Sequence, residues 1–135
     1  MSTVRVRVAV ADDDPGFRQI FQDVLSAQHE IVGVAEDGRE LVVIVREHDP
    51  DLVILDITMP VMNGFEALES CRANGCSSRF VFCSANGSRA YVKRALHLGA
   101  QGYVHKAALW EDLPAAIATV LDGGIFISPS ISIEA

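Results

Sequence analysis

Positive charge is scarce in this chain. Eleven Lys and Arg stand against 18 Asp and Glu, for a net charge of −7 and an isoelectric point near 4.9. A surface that grips a nucleic-acid backbone needs clustered Lys and Arg, so these residues by themselves offer no such surface. Long apolar runs are missing too. No stretch reaches the roughly 18 residues of a membrane-crossing helix, and the opening "MSTVRVRVAV" lacks the apolar core and cleavage site of a secretory signal. This predicts a cytoplasmic protein with no membrane partner. Cysteine is limited to Cys71, Cys76 and Cys83. An odd number without C-x-x-C spacing suits neither a disulfide framework nor a zinc site, and reads as reduced thiols that fill space. Half of the 135 residues are apolar, enough for one folded domain with its own core.

What the chain does have is a fivefold alternation of strand and helix signals. "VRVRVAVA" predicts a strand over 4–11, and Phe17, Ile20, Phe21, Val24 and Leu25 follow at helical spacing. "IVGVA" and "DGRELVVIVREH" repeat the pair, with Asp37 and Glu40 spaced as a capping box. "DLVIL" has no outward polar face, as expected of a central parallel strand covered on both sides. Asn63 and Glu66 form a second capping box ahead of Phe65, Ala67, Leu68 and Cys71. "RFVFCS" is the fourth strand, before a helix in "SRAYVKRALHLGA" that Gly99 stops. "GYVHK" and "LWEDLPAAIATVLDGG" are the fifth pair, where Pro114 is tolerable only within the first helical turn. The pattern predicts an α/β domain, a (βα)5 doubly wound parallel sheet. That domain takes residues 1–124, and residues 125–135 read as an exposed tail or the start of a linker.

In open parallel sheets, sites form at the carboxyl ends of the strands. There the sequence puts Asp12, Asp13 and Asp14 after the first strand, Asp56 after the third, Ser84 after the fourth and Lys106 after the fifth. Asp14 precedes Pro15 and has a structural job as a helix cap. Asp12 and Asp13 alone would be solvated turn residues, although neighbouring like charges repel by roughly 1 kcal/mol even in water. Asp56 alters that reading. Three converging carboxylates raise one another's pKa unless a cation neutralises them, and Mg²⁺ suits an oxygen-only set that leaves room for phosphoryl oxygens. Lys106 supplies a compact charge and Ser84 a hydroxyl for such a group. An aspartate can itself accept a phosphoryl group as an acyl phosphate.

With "ADDDPGFR", "DLVILDITMPVMNGFEAL", "FCSA" and "GAQGYVHKA" together, the sequence resembles the receiver domain of bacterial two-component response regulators over about residues 4–124. The wording of "DDDPGFR", "GAQGYVHK" and "GGIFISPSI" most resembles the NarL/FixJ-like subfamily. The resemblance implies a flavodoxin-like, CheY-like sheet with strand order 2-1-3-4-5. It implies that Asp56 takes a phosphoryl group from a sensor histidine kinase. It also implies that Asp13, Asp56 and the backbone carbonyl of Thr58 ligate Mg²⁺, with Asp12 acting mainly through water. Ser84 would be the switch hydroxyl, Tyr103 the switch aromatic and Lys106 the phosphate-binding lysine. The implied output is a homodimer on phosphorylation and control of transcription through a helix-turn-helix DNA-binding domain outside these residues. Two positions depart from the pattern. Asp14 stands where that subfamily usually has histidine, and Ala107 follows Lys106 where many receivers have proline.

Alternative readings remain. The chain could be a stand-alone receiver, or a pseudo-receiver that works without phosphorylation, although neither the acids, the hydroxyl nor the lysine is missing. An aspartate-nucleophile phosphohydrolase would need an acid two residues after Asp56, where Thr58 stands. A flavodoxin-like cofactor binder would need a phosphate-cradling loop in place of the three aspartates.

Overall fold

The computed structural model describes residues 5–131. Val4, the first residue of the expected opening strand, and residues 132–135 of the expected tail lie outside them. Five strands and five helices alternate: β1 (Arg7–Ala11), α1 (Pro15–Leu25), β2 (Glu30–Ala35), α2 (Gly38–His48), β3 (Leu52–Leu55), α3 (Gly64–Ala73), β4 (Arg79–Ser84), α4 (Arg89–His97), β5 (Gly102–His105) and α5 (Leu109–Leu121). All pair in parallel, in the order β2-β1-β3-β4-β5. This is the flavodoxin-like arrangement.

The sheet separates two cores because neighbouring side chains on a strand point to opposite faces. Ala9, Ala11, Val53, Leu55, Phe80, Phe82 and Tyr103 join the core under α2, α3 and α4. Val8, Val10, Leu52, Ile54, Val81, Cys83 and Val104 join the core under α1 and α5. Every residue of β3 is fully buried, which explains its unbroken apolar run. The helix starts follow the capping signals. Asp14 caps α1 by accepting from Gly16 N at 2.7 Å, and Asn63 with Glu66 forms the reciprocal box of α3. At α2 the box is rearranged: Asp37 accepts from Glu40 N, while Glu40 reaches past the cap to Glu36 N. Gly75, at φ 83°, ends α3, with Gly75 N donating to Arg72 O and Cys76 N to Cys71 O. That motif brings its flanking side chains together. Here both are cysteines, Cys71 in the core and Cys76 packed against it.

Two expectations change. Pro114 lies five residues beyond the start of α5, not in its first turn. It has no N–H for the carbonyl of Trp110, but both residues are exposed, so that carbonyl is on the wet side of the helix. The stretch expected as a tail also contributes a sixth strand, β6 (Phe126–Ile127), parallel to β5.

Candidate functional site

β1 is the point where the strand order reverses, with β2 on one side and β3 on the other, and the crevice at such a point is where ligands bind. Ala11 and Leu55 are partners across β1 and β3. The next residue on each strand is an aspartate, so Asp12 and Asp56 emerge side by side. Asp12 N donates to Ala35 O and Asp56 N to Ala11 O, which extends the ladder to both acids. Asp12 is fully buried, Asp56 is 7% exposed and Asp13 is exposed. The three carboxylates each place an oxygen within 4.8 Å of the others.

Lys106, immediately after β5, reaches in between. Its Nζ is 2.7 Å from Asp12 Oδ2 and 3.1 Å from Asp56 Oδ2. The aligned hydrogen bond goes to Asp56, so the buried Oδ2 of Asp12 has an ion pair but no directed donor. The other oxygens are held by backbone: Asp14 N donates to Asp12 Oδ1 at 2.9 Å and Ile57 N to Asp56 Oδ1 at 2.7 Å. Burial pushes the Asp12 carboxyl above its ordinary range, and the pull of Lys106 and Asp14 N does not overcome it. Burial also works against the Lys106 ammonium, yet the two carboxylates paired with it, Asp12 at 2.7 Å first and Asp56 with it, together raise its pKa. Behind Asp56, Gly64 opens α3. A Cβ there would stand 2.2 Å from Asp56 O, so only glycine lets the helix close onto this peptide.

Ser84 ends β4 and is 2% exposed. Its Oγ accepts from Asn86 N at 3.0 Å. Tyr103 is fully buried, and its hydroxyl donates to the carbonyl of the same Asn86. Burial pushes the Tyr103 phenol up to about 12.

Residues 8–118 match the response regulator receiver domain. The chain belongs to that family. The receiver is 33% identical to the chemotaxis protein CheY of Halobacterium salinarum, over 85% of this chain and 96% of that protein. It is also 33% identical to the nitrate/nitrite response regulator NarL of Escherichia coli, over 93% of this chain but 59% of that protein. The chain therefore spans about three fifths of that regulator. Among solved structures, the receiver domain of the putative response regulator NarL from Mycobacterium tuberculosis superposes with a TM-score of 0.83. It is 32% identical, over 88% of this chain and 98% of that one.

In this receiver Asp12, Asp13, Asp56 and Lys106 meet at one point. Thr58 is exposed two residues beyond Asp56. Ser84 and Tyr103 meet at Asn86, on the loop between β4 and α4. Sequence reasoning missed three contributors. Asn86 takes part through its backbone, which leaves no signal in residue type. Phe17 reads as one more apolar residue at helical spacing, yet its ring centroid lies 4.0 Å from Lys106 Nζ. Arg18, on the same turn, donates to Asp12 O at 2.8 Å.

Proposed function

We propose that this receiver accepts a phosphoryl group on Asp56 from a sensor histidine kinase in the cytoplasm, and passes the change on as a conformational switch. The observation that carries the reading is the position of the Asp56 carboxylate. One oxygen is fixed by Ile57 N–H, the other faces Lys106, and two further carboxylates stand beside it.

In the transfer, a carboxylate oxygen of Asp56 bonds to phosphorus as the bond from phosphorus to the donor nitrogen breaks, and the leaving imidazole keeps that electron pair. Lys106 can follow the phosphoryl oxygens with its charge while remaining paired to Asp12. Ser84, on the adjoining strand end, can donate its hydroxyl to the same group. The residues present also fit a divalent cation. The donors are hard oxygens, and the buried Oδ2 of Asp12 has no directed donor. Asp13, Asp56 and the Thr58 carbonyl would hold Mg²⁺, with Asp12 acting mainly through water. The ion would offset the negative charge of the carboxylates and of the transferring group. Thr58 cannot serve as a general acid or base, which argues for a signalling module and against turnover on free phosphate esters.

The NarL relative is a nitrate/nitrite response regulator, and the output proposed here is of that kind: a homodimer on phosphorylation, with DNA contacted through an effector domain outside these residues. The test is incubation with Mg²⁺ and acetyl phosphate, read by intact mass. One added phosphoryl group is expected, and none after Asp56→Ala. Labelling of Asp56→Ala at the wild-type rate would refute the assignment.

A further inference from the structure

The segment after α5 does more than lengthen the sheet. β6 pairs Phe126 with Gly102 and Ile127 with Tyr103. Phe126 N donates to Gln101 O at 3.0 Å and Ser128 N to Tyr103 O at 2.9 Å. Ser128 is 1% exposed. Its hydroxyl donates to Asp112 Oδ2 at 2.7 Å and accepts from His105 N at 2.9 Å. The chain then turns, with Ile131 N donating to Ser128 O at 3.0 Å. Ile131 is buried in the core that contains Tyr103, Val92 and Ala95.

This seat is shared with the loop between β4 and α4. A Cβ on Gly87 would lie 3.5 Å from both Ile131 Cγ1 and His105 Nε2, so both residues rest against the loop where it has no side chain. The His105 ring links the two segments: Nε2 is 3.2 Å from Ala85 O and Nδ1 is 3.4 Å from Ser130 Oγ. One tautomer serves both contacts, with Nε2–H donating to the carbonyl and Nδ1 accepting from the hydroxyl. Backbone bonds to a sheet edge plus a pocket for one side chain is the logic of strand addition. Two paired residues alone hold little, so the Ser128 and Ile131 anchors decide whether the segment stays.

We propose that the β5 edge and the β4–α4 loop form a peptide-docking surface whose partner is the chain's own 126–131 segment, and that this occupancy opposes the loop movement triggered at Asp56. The second half rests on the reading of Asp56 as phosphoacceptor. Residues 85–87 lie between Ser84, which turns to the phosphoryl group, and the pair His105 and Ile131. A loop drawn towards Asp56 leaves the His105 and Ile131 contacts, and the segment loses its seat. Coupling is reciprocal, so a loosened segment makes Asp56 easier to load.

The experiment uses the full chain, beryllofluoride with Mg²⁺ as the phosphoryl mimic, fluorine NMR to measure loading, and hydrogen exchange read by mass spectrometry. Exchange in residues 125–131 is expected to rise in step with loading. Ile131→Ala is expected to speed exchange in residues 85–88 with no mimic present, and to tighten beryllofluoride binding about fivefold. Ser130→Ala, which removes only the His105 contact, acts in the same direction more weakly and serves if Ile131→Ala does not fold. Unchanged exchange in 125–131 at full loading overturns the coupling while leaving the Asp56 reading intact. Failure of beryllofluoride to load overturns both. Unchanged exchange in 85–88 in both variants overturns the docking contact itself.

Discussion

Lys106 stands closer to Asp12 than to Asp56, at 2.7 Å against 3.1 Å. The lysine therefore neutralises the most deeply buried acid of the cluster as well as facing the proposed phosphoacceptor. Removing one partner of a buried ion pair typically costs about 3–5 kcal/mol. Here the stranded acids can protonate or take up a cation, so the cost should fall at or below about 3 kcal/mol. Lys106→Met is expected to lower the urea midpoint near neutral pH in the presence of a chelator. Mg²⁺ should then restore more stability to the variant than it adds to the wild type, since it replaces the missing charge. Equal responses of the two proteins to Mg²⁺ would count against the cation-site assignment.

The pH dependence of the metal-free protein follows from Asp12. Its folded pKa is raised above the unfolded value of 3.8, chiefly by burial. Between those two values the folded state binds more protons than the unfolded state, so this group's contribution to stability falls as pH rises. Asp12→Asn removes the titration. The stability difference between variant and wild type should therefore move in favour of the variant as pH climbs from about 3.8 through the folded pKa. Mg²⁺ should flatten that trend. Denaturant melts over the acid range measure it, and a difference that moves in favour of the wild type would contradict the burial argument.

Much of this was legible in the sequence because single physical causes leave single patterns. A strand covered on both faces must be apolar throughout, and "LVIL" is. A helix start needs an acceptor, and Asp14 and Asn63 are placed to provide it. The acids and Lys106 could be brought together on paper because a parallel sheet gathers its strand ends at one edge. β6 was not legible, since three apolar residues between glycine and serine are too short a run to show a period, and the two that pair gain their structure from the β5 edge. Phe17 was hidden because a ring over an ammonium and a ring in a core share the same spacing. Pro114 is tolerated beyond the first turn of α5 because its face of the helix is wet, which the rule that confines proline to the first turn does not take into account.

Val61 carries strain that a substitution should relieve. This β-branched residue sits at φ 70° and is 75% exposed, with Met62 N donating to Pro60 O across it at 2.7 Å. That i→i+2 bond with a positive φ at its centre is a γ-turn of the rare, strained form, which costs a β-branched residue about 1–3 kcal/mol. Glycine reaches it without a Cβ clash, at an entropic cost of up to about 1 kcal/mol, and no buried contact is lost with the exposed side chain. Val61→Gly is expected to raise stability by up to about 1 kcal/mol in urea melts. A lowered midpoint would mean that the entropic cost of glycine, or a stabilising contact of the valine, outweighs the strain.

The backbone of Asn86 is gripped on both sides of its Cα, its N–H by Ser84 Oγ and its carbonyl by the Tyr103 hydroxyl. If Ser84 turns to a phosphoryl group, the N–H is released and the carbonyl stays tied to a buried ring. The loop must then pivot about Tyr103. The ring itself has reason to stay, packed 6.3 Å from Phe82 between centroids and fully buried. Each hydrogen bond is worth about 1 kcal/mol to stability, and because both hold the backbone of one residue, through the peptides on either side of its Cα, their losses should not add. Ser84→Ala is expected to be phosphorylated on Asp56, since Lys106 and the other acids remain, but to show little response in residues 85–88. Tyr103→Phe keeps the ring and loses the tether, so its loop should exchange faster before any phosphoryl mimic is added. The double variant should be less destabilised than the sum of the singles. Strict additivity, together with a normal loop response in Ser84→Ala, would show that Ser84 and Tyr103 act on the loop independently and that Asn86 is not the hinge between them.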